Sequence, residues 1–193
     1  MSYTPKIMAF SGSLRKGSLN KKIVRVAAEG ARRVGAEITY VDLQDIPLPI
    51  YDDDLIEREG FPENAIKLQE MLLAHDGLLV SSAEYNGSIT GALKNMFDWT
   101  SRRRDDLPLG ACYNGKVAAI MSASPGGFGG IKCLSHLRTI LNVMLVNVIP
   151  EEYAVGKAHE LFTVEDLMHD EKMQANLHRL GSTVAEMLQK LRA

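Results

Sequence analysis

The sequence predicts a three-layer α/β domain, a parallel sheet with helices on both faces. Short apolar runs alternate with longer amphipathic ones along all 193 residues. The runs at 6–11, 77–81 and 116–121 are apolar at consecutive positions, so strands made from them bury both faces, as strands of a parallel sheet do. No repeat, low-complexity tract or linker divides the chain, and 1–193 reads as one domain.

Lys6 to Ser11 is the first strand, closed by Gly12. Leu19, Ile23, Val26, Ala27 and Val34 recur at helical spacing, predicting a helix from Ser18 or Leu19 that stops at Gly35. Ile38 to Val41 is the second strand. Residues 42–62, with Pro47, Pro49, Gly60 and acids at 52–54, read as a surface loop. Asn64 to Ala74 is a helix, Gly77 to Ser81 the third strand and Ile89 to Trp99 another helix. Lys116 to Met121 forms the fourth strand and Ile131 to Leu141 a further helix. A short fifth strand is expected around Met144–Val148, and Leu177 to Leu191 mark a long terminal helix.

Twenty-two Lys plus Arg against 24 Asp plus Glu leave a net charge of −2, which argues against coating nucleic acid or anionic lipid. No 18-residue apolar stretch and no signal-peptide pattern occur, so a soluble, cytoplasmic chain is expected. Cys112 and Cys133 fit neither a disulfide framework nor a zinc ribbon and are expected to pack as small apolar residues. His75, His136, His159, His169 and His178 lack metal-ligand spacing, and no metal site is expected.

Open α/β sheets bind ligands beyond the C-terminal strand ends, where strand order reverses. Three strand ends carry unusual residues. The first, Ser11 to Asn20, combines hydroxyls, glycines, Arg15 and a helix N-terminus, the makings of an anion site. Its glycine spacing matches a P-loop, but Ser18-Leu19 follow where Lys-Ser or Lys-Thr is required. A metal-free monophosphate fits best. Lys21, Lys22 and Arg25 are better read as solvated charges on a helix face. The second segment, Ser82 to Ser88, offers Tyr85 as a flat surface and Asn86 for a ring edge, or is simply a tight polar turn. The third, Ser122 to Gly130, has four glycines in five positions from Gly126, which lets a planar ligand approach the backbone, or is a flexible loop.

Gly12-Ser13-Leu14-Arg15-Lys16-Gly17-Ser18-x-Asn20, Glu84-Tyr85-Asn86-Gly87-Ser88, Gly91-x-Leu93-Lys94-Asn95-x-x-Asp98-Trp99 and Gly126 to Gly130 together resemble the NAD(P)H-dependent FMN reductases. That group of the flavodoxin-like fold includes chromate and quinone reductases and relatives of the arsenic-resistance flavoprotein. The resemblance implies five parallel strands in the order 2-1-3-4-5 and one FMN-binding domain. It places the FMN phosphate at Ser13, Arg15, Ser18, Leu19 and Asn20, and the isoalloxazine at Ala83, Glu84, Tyr85 and Asn86. Ser122, Ser124 and Gly126 flank the flavin. NADPH or NADH is then the electron donor, and quinones, azo compounds or metal oxyanions the acceptors. No catalytic side chain is needed, because the flavin carries the chemistry. A homodimer or homotetramer is implied; Leu93, Met96, Phe97 and Trp99 read mostly as core, though in that family the equivalent helix also builds a dimer interface. Ala83 stands where the family usually has Pro. The alternative, a flavodoxin-type carrier for a protein partner, wants a strongly acidic docking face that a net charge of −2 does not supply.

Overall fold

Alternation along the apolar strands decides which side of the sheet each residue serves. In a computed structural model describing residues 3–192, the strands are β1 (Lys6–Ser11), β2 (Glu37–Asp42), β3 (Gly77–Ser82), β4 (Val117–Ala123) and β5 (Asn147–Val155). They pair in parallel in the order β2-β1-β3-β4-β5. Ile7, Ala9, Leu79, Val117, Ala119 and Met121 point to one face, where α1 (Leu19–Arg33) and α6 (Glu171–Leu191) cover them. Met8, Phe10, Leu78, Val80, Ala118 and Ile120 point to the other, beneath α3 (Glu63–Leu73), α4 (Gly91–Thr100) and α5 (Ile131–Val143). The three-layer architecture and the strand order agree with the sequence reading.

Helices α1 and α6 cross with their backbones in contact. A Cβ on Gly181 would lie 1.8 Å from the Ala27 carbonyl oxygen, and one on Gly30 would lie 2.0 Å from that of His178. Only hydrogen fits at either position. Leu93, Met96, Phe97 and Trp99 of α4 are all buried within the chain, so those four side chains are core.

Two elements and one lysine depart from the sequence reading. The stretch at 42–62 contains a seven-residue helix, α2 (Asp53–Glu59), which buries none of its residues and so shows no apolar stripe to read. Asp52, expected in a solvated acidic loop, caps it by accepting from the Asp54 N–H at 3.0 Å. The fifth strand starts later and runs longer than expected. Met144 caps α5 and Leu145 turns the chain at φ +61°, so pairing begins at Asn147 and continues to Val155. Pro150 is tolerated because β5 is an edge strand, and the ladder shifts register between Ala118 and Ile120. Arg138 of α5 secures this irregular strand by donating to the Ile149 carbonyl at 3.0 Å and the Glu152 carboxylate at 2.6 Å. Finally, Lys21 is not a solvated charge. It is 4% exposed, and its ammonium lies 2.7 Å from Asp42 at the end of β2.

Candidate active site

The loop after β1 is held over the sheet by its own backbone. The Gly12 N–H donates to the Ser81 carbonyl at 2.8 Å, and the Gly12 carbonyl accepts from the Thr90 hydroxyl, the α4 N-cap, at 2.6 Å. A Cβ at Gly12 would meet Leu93 at 2.7 Å, so glycine here is a packing requirement. Helix α1 then starts at Ser18, its N-cap. A serine in that position ordinarily accepts from a first-turn N–H. The Ser18 hydroxyl accepts none, and the first turn holds no acidic residue. Unpaired N–H groups, the positive end of the helix dipole and a free hydroxyl therefore face one point. Arg15 and Lys16 stand exposed beside it, and neither forms an ion pair among the described residues.

Asn20, in the first turn of α1, ties this loop to the sheet. Its Oδ1 accepts from the Ser81 hydroxyl at 2.7 Å and from the Ala123 N–H at 2.9 Å, while its Nδ2 donates to the Ala123 carbonyl at 2.9 Å. Rotating the amide by half a turn would set donor against donor, so the orientation is fixed by the ladder. The first turn of α1 is thus riveted to the ends of both β3 and β4.

The Glu84–Ser88 segment is a tight hairpin turn. Tyr85 and Ser88 exchange both backbone hydrogen bonds, at 2.9 and 3.1 Å, across Asn86 at φ +52° and Gly87 at φ +79°. Two consecutive positive φ values explain the Asn-Gly pair. Glu84 turns inward, its Oε2 accepting from the Cys133 N–H in the first turn of α5 at 3.2 Å. Tyr85 stays 58% exposed at the rim. The Cys133 thiol lies beneath, donating to the Ser82 carbonyl at 3.7 Å, and burial pushes it up to about 11, which keeps it protonated at neutral pH.

The glycine-rich loop is ordered by its serines. Ser122 is buried and donates to the Gly129 carbonyl at 2.7 Å. The Ser124 hydroxyl accepts from the Gly126 N–H at 3.1 Å. A Cβ on Gly127 would meet nothing within 4 Å and one on Gly126 only the Ser124 hydroxyl at 3.5 Å, whereas one on Gly129 would sit 2.5 Å from the Ala154 carbonyl carbon.

A cleft of about 200 Å³ lies where the three segments meet. It is lined by Ser13, Arg15, Ser18, Leu19, Asn20, Ala83, Glu84, Tyr85 and Ser124, all singled out in the sequence. Asn86, Ser122 and Gly126 lie outside its lining. Asn86 serves the turn, Ser122 anchors the loop from below, and Gly126 forms the loop's exposed edge. Gly17, Ala123 and Pro125 line it without having been singled out. Gly17 and Pro125 sat in plain view inside the motif segments, whereas Ala123 reads as an ordinary strand residue.

Residues 5–160 match the family model of NADPH-dependent FMN reductase. The chain belongs to that family. A flavodoxin-type carrier is thereby set aside in favour of an FMN-dependent NAD(P)H oxidoreductase. A protein named NAD(P)H-dependent FMN reductase from Pseudomonas aeruginosa is 33% identical over 193 residues, covering 100% of both chains. The quinone reductase of Escherichia coli is 39% identical over 141 residues, 73% of this chain and 71% of that one. Among solved structures, the flavoenzyme NAD(P)H:(acceptor) oxidoreductase FerB from Paracoccus denitrificans superimposes with a TM-score of 0.80 at 27% identity, over 97% of this chain and 98% of that one.

The cleft fits the FMN that this family uses. A monophosphate needs donors and positive charge without a metal, which the uncapped α1 terminus, Ser13, Ser18 and Arg15 provide. A flat ring could lie against backbone free of Cβ atoms, and the exposed Gly126 and Gly127 follow Pro125, which lines the cleft. Among the described residues no group of three His, Cys, Asp or Glu side chains could hold a metal ion.

Ala83 has a consequence of its own. Its N–H donates to no acceptor among the described residues, so proline there would delete no internal hydrogen bond. Proline would fix φ at its own position and bias Ser82 toward extended backbone, ordering the turn before a ligand arrives. Ala83→Pro is expected to tighten FMN by about twofold to fivefold, measured by titrating FMN into both apoproteins. Weaker binding would show that the Ala83 N–H donates to the flavin.

Proposed function

We propose that this chain is an NAD(P)H-dependent FMN reductase that delivers electrons to quinones and related small acceptors, azo compounds and metal oxyanions included. Residues 1–193 act as a single FMN-binding domain, assembled as a homodimer or homotetramer in the cytoplasm. Among the described residues, no helix is long and apolar enough to cross a membrane. The observation that carries the reading is the α1 terminus: a serine N-cap whose hydroxyl is unused, beside an unpaired arginine, at the switch point of a 2-1-3-4-5 sheet.

Ser13, Ser18 and the first-turn amides of α1 hold the phosphate, and Arg15 neutralises it. Leu19 and Ala83 line the middle of the cleft, and Asn20 keeps its two sides at fixed separation. Tyr85, Glu84 and the 124–127 loop border the ring. FMN bound there supplies two-electron hydride chemistry between nicotinamide and acceptor. At about 200 Å³ the cleft is smaller than common cofactor pockets of about 300–1,000 Å³, so it encloses the phosphate end and leaves the ring on an open rim.

That rim offers one face to both substrates, so NAD(P)+ must leave before the acceptor enters. Initial-rate data with NADPH and a quinone are expected to give parallel double-reciprocal lines; intersecting lines would mean that both fit at once. The class itself is tested by the absorption spectrum of the FMN-loaded protein under anaerobic conditions. Bleaching of the flavin band by NADPH or NADH alone is expected, and a band that persists would refute the reading.

A further inference from the structure

Helix α5 begins without a cap of its own. Its N-cap is Gly130, held at φ +86°, which offers no side chain to the first-turn N–H groups, and that turn carries no acidic residue. The missing acceptor comes from another element. Glu84, two residues past β3, places its Oε2 3.2 Å from the Cys133 nitrogen and shares that N–H with the Gly130 carbonyl, also at 3.2 Å. Three-centre bonds of this kind are common at helix termini, and a carboxylate there also meets the positive end of the helix dipole. Packing leaves little slack. A Cβ on Gly130 would lie 3.5 Å from the Glu84 Cβ and 3.1 Å from the Ser122 hydroxyl. One turn further along α5, the His136 Nδ1 pairs with the Ser88 hydroxyl at 2.9 Å. The 84–88 turn is thus tied to α5 at both ends, and α5 is the direct continuation of the glycine-rich loop.

We propose that Glu84 is a positioning residue for the flavin ring: its carboxylate caps α5 and thereby sets the distance between the 84–88 turn and the 124–130 loop, the two walls that border the isoalloxazine. This rests on the FMN reductase reading and gives a task within it to a side chain that acts through the backbone of another helix. The remaining ties are weaker. The Ser88–His136 contact is exposed and competes with water. The paired backbone bonds of Tyr85 and Ser88 shape the turn internally and do not connect it to α5. The Glu84 bond is charge-assisted and part-buried, so it limits how far the turn can swing. Without it, more of the ordering of that wall falls on ring binding.

The test titrates FMN and riboflavin into the apoproteins of wild type, Glu84→Ala and Glu84→Gln, and records the visible circular dichroism of the bound flavin at saturation. Glu84→Ala is expected to weaken both flavins by the same factor, about tenfold, because the ring is common to them, and to diminish the dichroism of the bound ring. Glu84→Gln keeps an oxygen acceptor for the Cys133 N–H. It should return both affinities to within about threefold of wild type and restore the dichroism. A cap that merely supports the helix would lower the melting temperature of Glu84→Ala while riboflavin affinity and dichroism, read well below the transition, stayed at wild-type values. That result would overturn the proposal. So would a Glu84→Gln variant as impaired as Glu84→Ala, since the charge and not the cap would then matter, or a loss confined to FMN, which would point to the phosphate end. Failure of the underlying reading looks different, as the flavin band of wild type would then resist both NADPH and NADH.

Discussion

Gly181→Ala is expected to lower the melting temperature by about 6–12 °C, the equivalent of about 3 kcal/mol in a domain of this size. The sign is opposite to what helix propensity alone gives. In an exposed helix interior, alanine in place of glycine gains about 1 kcal/mol. Here the added methyl group would lie 1.8 Å from the Ala27 carbonyl oxygen, deep in the crossing of α1 and α6. A backbone carbonyl cannot rotate away as a side chain can, so the helices must separate and leave Ala27, Leu180 and Val184 loosely packed. Gly30→Ala strains the same crossing from the other side, through the His178 carbonyl. The double variant should therefore cost less than the sum of its parts, because one separation relieves both clashes. Thermal melts followed by circular dichroism decide the matter. An unchanged or higher melting temperature for Gly181→Ala would mean that the helices do not touch there.

Arg15→Ala is expected to weaken FMN by about one to two decades and to leave riboflavin, which lacks the phosphate, nearly untouched. The guanidinium is exposed and has no carboxylate partner among the described residues, so its removal breaks no internal ion pair. Fluorescence titration of each flavin into apoprotein gives both constants, and equal losses would assign Arg15 to the fold. Ser18→Ala is the companion measurement. An N-cap serine normally contributes about 0.5–2 kcal/mol to its helix. Since Ser18 caps no N–H, the melting temperature should hold while FMN affinity falls.

The inner strands were legible because burial on both faces leaves no polar position to mislead: β1 lies at 6–11 as read, and β3 gains only Ser82. Legibility failed where burial is one-sided or absent. Helix α2 buries nothing, and only Asp52 before it and Gly60 after it, at φ +79°, mark its ends. Strand β5 is half exposed and carries Pro150, so the apolar Met144–Val148 pulled the reading one helix cap too early. Lys21 shows the limit for charges. Nothing in a Lys-Lys pair tells which member is buried against Asp42 and which reaches a hairpin. In the candidate site, the segments were legible from glycine and hydroxyl content, but direction was not. Ser122 and Ser124 lie two residues apart on one strand end, yet one pins the loop from below while the other lines the cleft.

The three hydrogen bonds of Asn20 bear on how the empty protein waits for its cofactor. They draw entirely on Ser81 and Ala123, which belong to the sheet, so the spacing between phosphate loop and glycine loop is set when the sheet forms. The ordering cost of bringing those segments together falls on folding, and little of it remains for association. Loading then resembles docking into a finished seat. Only the 83–87 turn and exposed side chains such as Arg15 have freedom to lose, which should make FMN uptake a single fast phase that proportionally follows flavin concentration. The same geometry binds the residues together over evolutionary time. A change at position 20 strands two donors and one acceptor at once, and since Ala123 offers only its main chain, Asn20 and Ser81 are the side chains that must change together.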